Sequence, residues 1–289
     1  GKFYLRHRGD PFGTKLLAEG YDTLRDWCDW ILRHMDSSGR VLDVTEANAW
    51  NQGFGVFTQS AAAAGLRLFL ALADDAGRPE DRDRFARAVV RLMAGLREGL
   101  FGDAANPYFE IPEGIGACFT TYIPHGERPA VDGTRPRRIG LSAYSLAPGF
   151  FLQDPQVGLL PPDDRMAAET LDLVLERLGD PFDPRMVRWH MGPSHLGYGQ
   201  GQLLMALVHA GRTDVFRDRL QALFDVSFRE VGDPYLMQEV LARKGNVNRG
   251  NKAHLAYFPV LAARLSGFAG GQDGNGFLPD FRVLTTEEA

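Results

Sequence analysis

The sequence contains little cysteine and no long uninterrupted apolar run. Its 289 residues include two cysteines, Cys28 and Cys118, which are too few for a disulfide framework, and neither has a second Cys or His at metal-ligand spacing. The most apolar segment, residues 57–76, is interrupted by charged residues, so no stretch approaches the roughly 20 apolar residues that span a bilayer. No signal peptide is visible at the chain start. These absences fit a reducing compartment without membrane contact, and we expect a cytoplasmic location.

Other absences exclude whole classes of function. The net charge is −5 without a basic cluster, which argues against nucleic acid as the partner. The seven histidines include no His-Glu-x-x-His pair, and no Gly-x-Ser-x-Gly turn is present. We therefore expect neither a metal nor another cofactor. The glycine-rich stretch 197–202 follows no predicted strand and lacks the Lys-Ser/Thr of a phosphate loop, so its glycines indicate close helix packing instead.

Helical periodicity is what the sequence does contain. Segments 57–76 and 198–210 are apolar nearly all round, which predicts burial, whereas 83–100 and 214–226 carry one apolar stripe each and predict surface helices. Residues 1–13 are polar and predict irregular structure, and residues 101–160 are compatible with short strands or with long loops. The predicted helices with defined bounds are 14–35, 57–76, 83–100, 163–178, 198–210, 214–226 and 251–265.

Buried and surface helices in alternation predict two concentric rings of helices. We therefore expect an all-α fold, an (α/α)6 toroid-type barrel of helical hairpins, in a single domain over residues 1–289. The periodicity gives about eight to ten helices, fewer than six hairpins require, so the barrel is predicted to be incomplete. The start at Gly1 rather than Met is compatible with a missing upstream segment. No fixed-period repeat supports a solenoid.

Two glutamates stand out because each precedes a predicted buried helix. Glu46 lies before segment 57–76, and Glu239 lies in a stretch, 235–254, rich in groups that hydrogen-bond a polyhydroxylated ligand. They are 239 − 46 = 193 residues apart, so they meet only if the barrel gathers equivalent loops at one rim. Two carboxyl groups across a sugar-sized cleft protonate a leaving oxygen and activate a water. A solvated surface role is the alternative for each glutamate.

Aromatic and polar residues in the same segments are candidate sugar contacts. An arginine beside an aromatic ring, as in Arg188 and Trp189, can grip hydroxyl groups while the ring stacks on a pyranose face. A salt-bridged Arg and a core Trp are the equally favoured alternative. The predicted substrate contacts are Trp50, Asn51, Gln52, Arg188, Trp189, His195, Tyr198, Gln200 and Asn251.

Four loose motifs occur in an order that resembles a known family. They are Gly158-Leu-Leu-Pro-Pro-Asp-Asp-Arg, Val187-Arg-Trp, Ala210-Gly-Arg-Thr-Asp, and Leu236-Met-Gln-Glu-Val followed by Gly250-Asn. Together, over residues 40–266, they resemble family 15 of the glycoside hydrolases, the glucoamylase-like inverting enzymes. The resemblance implies an (α/α)6 barrel that hydrolyses α-glucosides without a cofactor. It also implies that Glu239 is the general base, Glu46 the general acid and Arg188 a sugar-binding arginine.

The chain departs from the family pattern near the predicted acid. The family's Trp before the acid, and the second acidic residue often found after it, are replaced by Thr45 and Ala47. An early hairpin with a sugar-gripping Arg-Asp pair has no counterpart in this sequence, so we expect the N-terminal part of the barrel to be missing, supplied by another segment, or lost. We expect an inverting glycoside hydrolase acting on an α-glucoside or related oligosaccharide. The alternatives are a catalytically decayed sugar-binding or partner-binding protein on the same scaffold, or another helical-barrel sugar enzyme such as an epimerase or lyase.

Overall fold

Helices dominate the described chain, and the fold is all-α. The computed structural model describes residues 1–42, 53–99, 101–102, 118–119, 122–124, 143–154, 156–179, 185–187, 195–225, 238–241 and 248–251. A 3₁₀ helix, Ala143–Leu146, directly precedes the fifth α-helix. The α-helices are α1 (Lys2–Arg6), α2 (Pro11–Arg33), α3 (Val56–Asp75), α4 (Pro79–Gly99), α5 (Ala147–Phe151), α6 (Arg165–Arg177), α7 (Gly197–His209) and α8 (Thr213–Phe224).

The strands are short and form three small antiparallel sheets. No strand in the described ranges exceeds four residues, in keeping with a sequence that lacks long alternation. One sheet pairs β1 with β4, another pairs β2 with β3, and the third has the order β5-β6-β7. The strands are β1 (Gly53–Gly55), β2 (Phe101–Gly102), β3 (Cys118–Phe119), β4 (Tyr122–Pro124), β5 (His195–Leu196), β6 (Gln238–Leu241) and β7 (Asn248–Asn251).

Capping carboxylates define the starts of α2 and α6. Asp10 accepts hydrogen bonds from the N–H groups of Phe12 (2.8 Å) and Gly13 (2.9 Å). Asp164 accepts one from the N–H of Ala167 at 3.0 Å. Each bond satisfies a backbone donor that has no partner within the helix. Both helices lie where the periodicity predicts them, although α2 begins three residues before the predicted start (14 − 11 = 3).

Helices α3 and α7 form the inner layer, and their neighbours cover them. α3 packs against α2, α4 and α5, and α7 packs against α5, α6 and α8. Leu66 and Leu72 of α3, and Leu203 and Leu207 of α7, are at most 1% exposed. α4 and α8 bury one apolar stripe each, as Phe85 and its neighbours show. The predicted alternation of buried and surface helices is confirmed for these four segments.

The short helix α5 lies between α3 and α7 and continues the inner layer. It contacts both helices, and a Cβ added to Gly149 would lie 3.3 Å from the Cβ of Ala206 in α7. Glycine therefore permits the close approach of two inner helices. The sequence left this region open between strands and loops. Helix α5 was not predicted, because its five residues are too few to show a helical period.

Residues at the chain start form a helix, which corrects the predicted irregular structure over 1–13. Tyr4 of α1 is 2% exposed, and its hydroxyl donates a hydrogen bond to Asp75 at the end of α3. Lys2 forms an ion pair with Asp154, three residues after α5. An isolated helix of this length is unstable in water, so tertiary contacts hold α1. It lies across the C-terminal ends of two inner helices.

Helix α3 is, among the described residues, the one helix that is long and apolar enough to cross a membrane. Its best window has a mean hydropathy of 1.4, and half of that window is buried inside the protein. Phe69 packs edge to face on Phe85 of α4 at a centroid distance of 5.2 Å. The core helix of a globular protein passes the same test by length and composition, and the burial of α3 matches that case.

Two predictions extend onto residues outside the described ranges. The single domain over 1–289 and the helix over 251–265 therefore stay predictions. Asn251, where that helix was predicted to begin, is the last residue of β7.

Candidate functional site

Strands lead directly into the first turns of both long inner helices. β1 ends at Gly55 and α3 begins at Val56, while β5 ends at Leu196 and α7 begins at Gly197. The ring of Phe57 in the first turn of α3 lies 5.8 Å from that of Tyr144 in the 3₁₀ helix, so the starts of two inner segments are adjacent. The C-terminal ends of α3 and α5 are covered by α1. The end where β1 and β5 enter the inner helices is the one at which predicted site residues lie.

The sheet β5-β6-β7 gathers several predicted site residues at this end. His195 is the cross-strand partner of Leu241, and Leu196 is the partner of Val240. On the other side of β6, Gln238 pairs with Asn251 and Val240 with Asn248, with an irregularity between the two pairs. Glu239 thus occupies the central strand, between two residues that pair with β7. The backbone brings three predicted site residues, His195, Glu239 and Asn251, into one small sheet.

The position of Glu239 corrects one expectation. The sequence predicts a loop over this stretch, whereas Glu239 lies in the strand β6 (Gln238–Leu241). The pairing of β6 with β5 is non-local, and a segment of four residues is too short to show a clear strand pattern. The glycine-rich stretch after β5 is likewise preceded by a two-residue strand, contrary to expectation. Its residues nevertheless form the first turns of α7, as the helix-packing interpretation requires.

Gln200, a predicted sugar contact, is engaged by the protein itself. It is 2% exposed. Its side-chain Oε1 accepts a hydrogen bond from the Val187 N–H at 3.2 Å, and its Nε2 donates one to the Val187 carbonyl at 2.8 Å. Because both arms of the amide are occupied by a peptide group, this geometry argues against direct sugar binding by Gln200. Its role is to hold Val187 against the first turn of α7.

Gln59 makes the same arrangement in α3 and was not predicted. The Val41 N–H donates to Gln59 Oε1 at 2.8 Å, and Gln59 Nε2 donates to the Val41 carbonyl. Gln59 is fully buried, at 0% exposure. An amide side chain in the first turn of a largely apolar helix was the available signal, since a buried amide requires partners.

The two glutamine–valine pairs belong to equivalent structural units. Val41 forms an antiparallel bridge with Met35, and Val187 forms one with Gly179. Each bridge partner lies two residues beyond an outer helix, since α2 ends at 33 and α6 at 177 (35 − 33 = 2 and 179 − 177 = 2). In both units the chain therefore leaves an outer helix, forms a bridge at a valine and enters an inner helix through a strand.

Near the starts of the inner helices, two further polar side chains are buried without a partner among the described residues. They are the hydroxyl of Ser60 in α3 and both amide arms of Gln202 in α7. Both residues are 0% exposed. Buried polar groups without a partner are uncommon, because such groups normally form a hydrogen bond with the protein or with ordered water. They lie close to the helix ends that carry the candidate site.

The covered end of the inner helices has a polar network of its own. Arg8 Nε donates to Asp75 at 2.7 Å, and this bond, together with the Tyr4 hydroxyl, lowers the pKa of Asp75. Burial, assisted by Asp75, raises the pKa of Tyr4 to about 12. A cavity of about 210 Å³ opens nearby, beside His209 and Asp163. Burial lowers the pKa of His209, so its imidazole is neutral near pH 7.

Several predicted residues lie outside the described ranges, so the expected meeting of Glu46 and Glu239 at one rim stays a prediction. The backbone of Tyr198 lies in the first turn of α7. Within the part of the chain that is described, no three His, Cys, Asp or Glu residues form a group able to hold a metal ion. The predicted residues outside the described ranges are Glu46, Trp50, Asn51, Gln52, Arg188 and Trp189.

Comparison with known proteins identifies the scaffold but no family. No protein-family model matches the chain, and no curated protein does. Among solved structures, the chain is similar to a GH78 family rhamnosidase of Bacillus sp. GL1, with a TM-score of 0.54 and 14% sequence identity. The match covers 88% of this chain and 24% of the rhamnosidase, so this chain spans about a quarter of that protein. At this identity the likeness establishes the fold, a scaffold of helical hairpins like that of a glycosidase.

Proposed function

We propose that this chain is a carbohydrate-active glycoside hydrolase of the inverting type. The observation that supports the proposal most is the sheet β5-β6-β7, whose register brings His195 and Asn251 next to the strand of Glu239. This sheet lies at the N-terminal end of the inner helix α7, on a fold similar to that of a rhamnosidase. A carboxylate at such an end, among hydrogen-bonding residues, is the arrangement that sugar hydrolysis needs.

The proposed mechanism uses two carboxyl groups and one water. Glu46 donates its proton to the glycosidic oxygen as the bond to the anomeric carbon breaks. Glu239 removes a proton from a water that attacks the anomeric carbon from the opposite face, which inverts its configuration. The two carboxyl groups would be roughly 6.5–9.5 Å apart, because a water must fit beneath the sugar. No metal or organic cofactor takes part in this reaction.

The finer assignment follows the motif resemblance. We propose an α-glucoside or related oligosaccharide as substrate, with family 15 as the nearest mechanistic parallel, and Arg188 and Trp189 as sugar contacts. The structural neighbour is named as a rhamnosidase, so an α-rhamnoside belongs among the compounds to test. The proposed partner is a small carbohydrate, and the buried thiols Cys28 and Cys118 suit the proposed cytoplasmic location.

The test measures hydrolysis and stereochemistry together. The chain is incubated with an aryl α-glucoside, an aryl α-rhamnoside and a malto-oligosaccharide, and proton NMR follows the anomer that appears first. We expect hydrolysis of at least one compound with initial release of the inverted anomer. Initial release of the retained anomer would contradict the inverting mechanism.

The alternative on the same scaffold is a sugar-binding protein without catalysis. The buried groups of Ser60 and Gln202, which have no partner within the described part of the chain, favour ligand binding in either case. Isothermal calorimetry with the same sugars distinguishes the two functions. Saturable binding without any turnover would overturn the hydrolase and support the binding protein.

A further inference from the structure

Both long inner helices hold a valine peptide group with a buried glutamine in their first turn. Gln59 is three residues after the start of α3 and Gln200 three residues after the start of α7 (59 − 56 = 3 and 200 − 197 = 3). Each amide accepts from a valine N–H and donates to the carbonyl of the same valine. The contacts match in helix position, in partner type and in hydrogen-bond pattern.

The chemistry of this contact requires an amide side chain. A peptide group presents one donor and one acceptor, and a glutamine amide offers one of each in complementary geometry. An ionised glutamate only accepts, and an apolar residue does neither, so either would leave a buried backbone group unsatisfied. Val41 and Val187 are 1% and 0% exposed, which means that water cannot replace the missing partner.

In the sequence, each contact lies shortly before a proposed site residue. Glu46 follows Val41 by 46 − 41 = 5 residues, and Arg188 follows Val187 directly. In each unit the glutamine holds the bridge valine that precedes the connection. A strand follows the connection, β1 in one unit and β5 in the other. Both ends of each connection are thereby tied to the start of an inner helix.

We propose that Gln59 and Gln200 are paired positioning residues, each setting the origin of one connection that carries proposed catalytic or sugar-binding groups. This inference rests on the proposed glycosidase function for its catalytic consequence. The anchoring itself rests on the described hydrogen bonds alone. Neither glutamine touches substrate, and each acts through a valine peptide group.

The test compares Gln59→Leu and Gln200→Leu with the matched control Gln153→Leu. Gln153 is also buried, at 4% exposure, and its Nε2 also donates to a backbone carbonyl, that of Pro162 at 3.0 Å. It lies beyond the C-terminal end of α5, away from β1 and β5. All three variants lose a buried side-chain-to-backbone bond, so a general loss of stability affects them alike.

Amide hydrogen exchange is measured by mass spectrometry well below the thermal midpoint of each variant. We expect exchange in the peptides that start at Val41 and at Val187 to accelerate by roughly tenfold or more in the matching glutamine variant, and to stay unchanged in Gln153→Leu. On a substrate that the parent hydrolyses, kcat should fall roughly 10–100-fold in both glutamine variants, because small displacements of reacting groups are costly. Gln153→Leu should retain the parent kcat.

Gln59→Glu and Gln200→Glu, which keep the side-chain shape, replace any leucine variant that does not fold. Exchange and kcat that match the Gln153→Leu control would overturn the positioning role. A parent chain without activity on any sugar would overturn the proposed function instead, and the exchange comparison would then decide the anchoring separately.

Discussion

His195 and Leu241 are direct cross-strand partners, although 241 − 195 = 46 residues separate them in the chain. The pairing joins β5, which leads into the inner helix α7, to the strand that contains Glu239. It places a predicted base two residues from the partner of a predicted sugar contact. The sheet of β5, β6 and β7 therefore lies at the start of the inner helix α7, and its strands contain candidate site residues.

The spacing of the inner helices can be tested with two glycines. A Cβ on Gly149 would lie 3.1 Å from Gln153 Oε1 and 3.3 Å from Ala206 Cβ, whereas a Cβ on Gly65 of α3 meets nothing within 4 Å. We expect Gly149→Ala to destabilise the protein by about 1 kcal/mol, since overpacking outweighs the gain in helix propensity. Gly65→Ala should stabilise it by about 0.5–1 kcal/mol. Urea unfolding measures the change in unfolding free energy for each variant. Equal changes in the two variants would contradict the close packing of α5 on α7.

The contact between Arg8, Tyr4 and Asp75 predicts a pH-dependent contribution to stability. The Arg8 hydrogen bond is the largest cause that lowers the pKa of Asp75. A carboxyl with a lowered folded-state pKa contributes stability above its unfolded pKa of about 3.9, and that stability is lost as the pH falls through the folded-state pKa. The Asp75 side chain is 23% exposed. Asp75→Asn should therefore cost roughly 1–2 kcal/mol at pH 7.

Chemical denaturation of parent and Asp75→Asn between pH 2 and pH 7 gives the comparison. The difference in unfolding free energy should shrink as the pH falls below about 3.9. Asp83→Asn is the control, because its ion pair with Arg82 is exposed on both sides, at 56% and 49%. A difference for Asp75→Asn that stays constant across the pH range would show that the charge of Asp75 does not stabilise the fold.

The long helices were predictable, because each carries its own apolar period. α3, α4, α6, α7 and α8 begin and end within a few residues of the predicted bounds, and Asp164 marks the start of α6 as an N-cap. Helix α1 was missed because Tyr4 and Lys2 hold it through distant partners. The strand at Glu239 and the Gln59–Val41 contact were missed for the same physical reason, since both depend on chain segments that are far apart in sequence.

The candidate site was predictable in its segments but not in the roles of individual side chains. His195, Glu239 and Asn251 lie in one sheet, whereas the sequence predicted a loop around Glu239. Gln200 was predicted to contact sugar, whereas its amide binds a peptide group of the protein. Its peptide partner, Val187, is recognisable only once the bridge to Gly179 is formed.

The amide requirement at Gln200 predicts an inverted pH dependence for Gln200→Glu. Burial disfavours the ionised carboxylate and the Val187 carbonyl needs a donor, so the pKa of the introduced carboxyl should be raised above its unfolded value of about 4.3. A group with a raised folded-state pKa contributes stability below its unfolded pKa, and loses it as the pH rises through the folded-state pKa. The variant should approach parent stability near pH 4 and be roughly 2 kcal/mol less stable at pH 7.

Thermal unfolding from pH 4 to pH 7 measures the stability of Gln200→Glu relative to the parent. Gln156→Glu, on the exposed surface, is the control. The control should track the parent at every pH. A Gln200→Glu variant that is as stable as the parent at pH 7 would mean that the amide donor to Val187 contributes nothing.

The measurement that tests the central claim most directly is the turnover of Glu239→Gln. The change removes the proposed base but preserves the size of the side chain, so substrate affinity should stay within a few-fold of the parent. Turnover should fall by roughly 10²–10⁴, the contribution of a general base. Glu169→Gln is the matched control, because Glu169 is paired with Arg165 on the outer helix α6, and it should keep the parent rate. Hydrolysis by a folded Glu239→Gln at the parent rate would contradict the account.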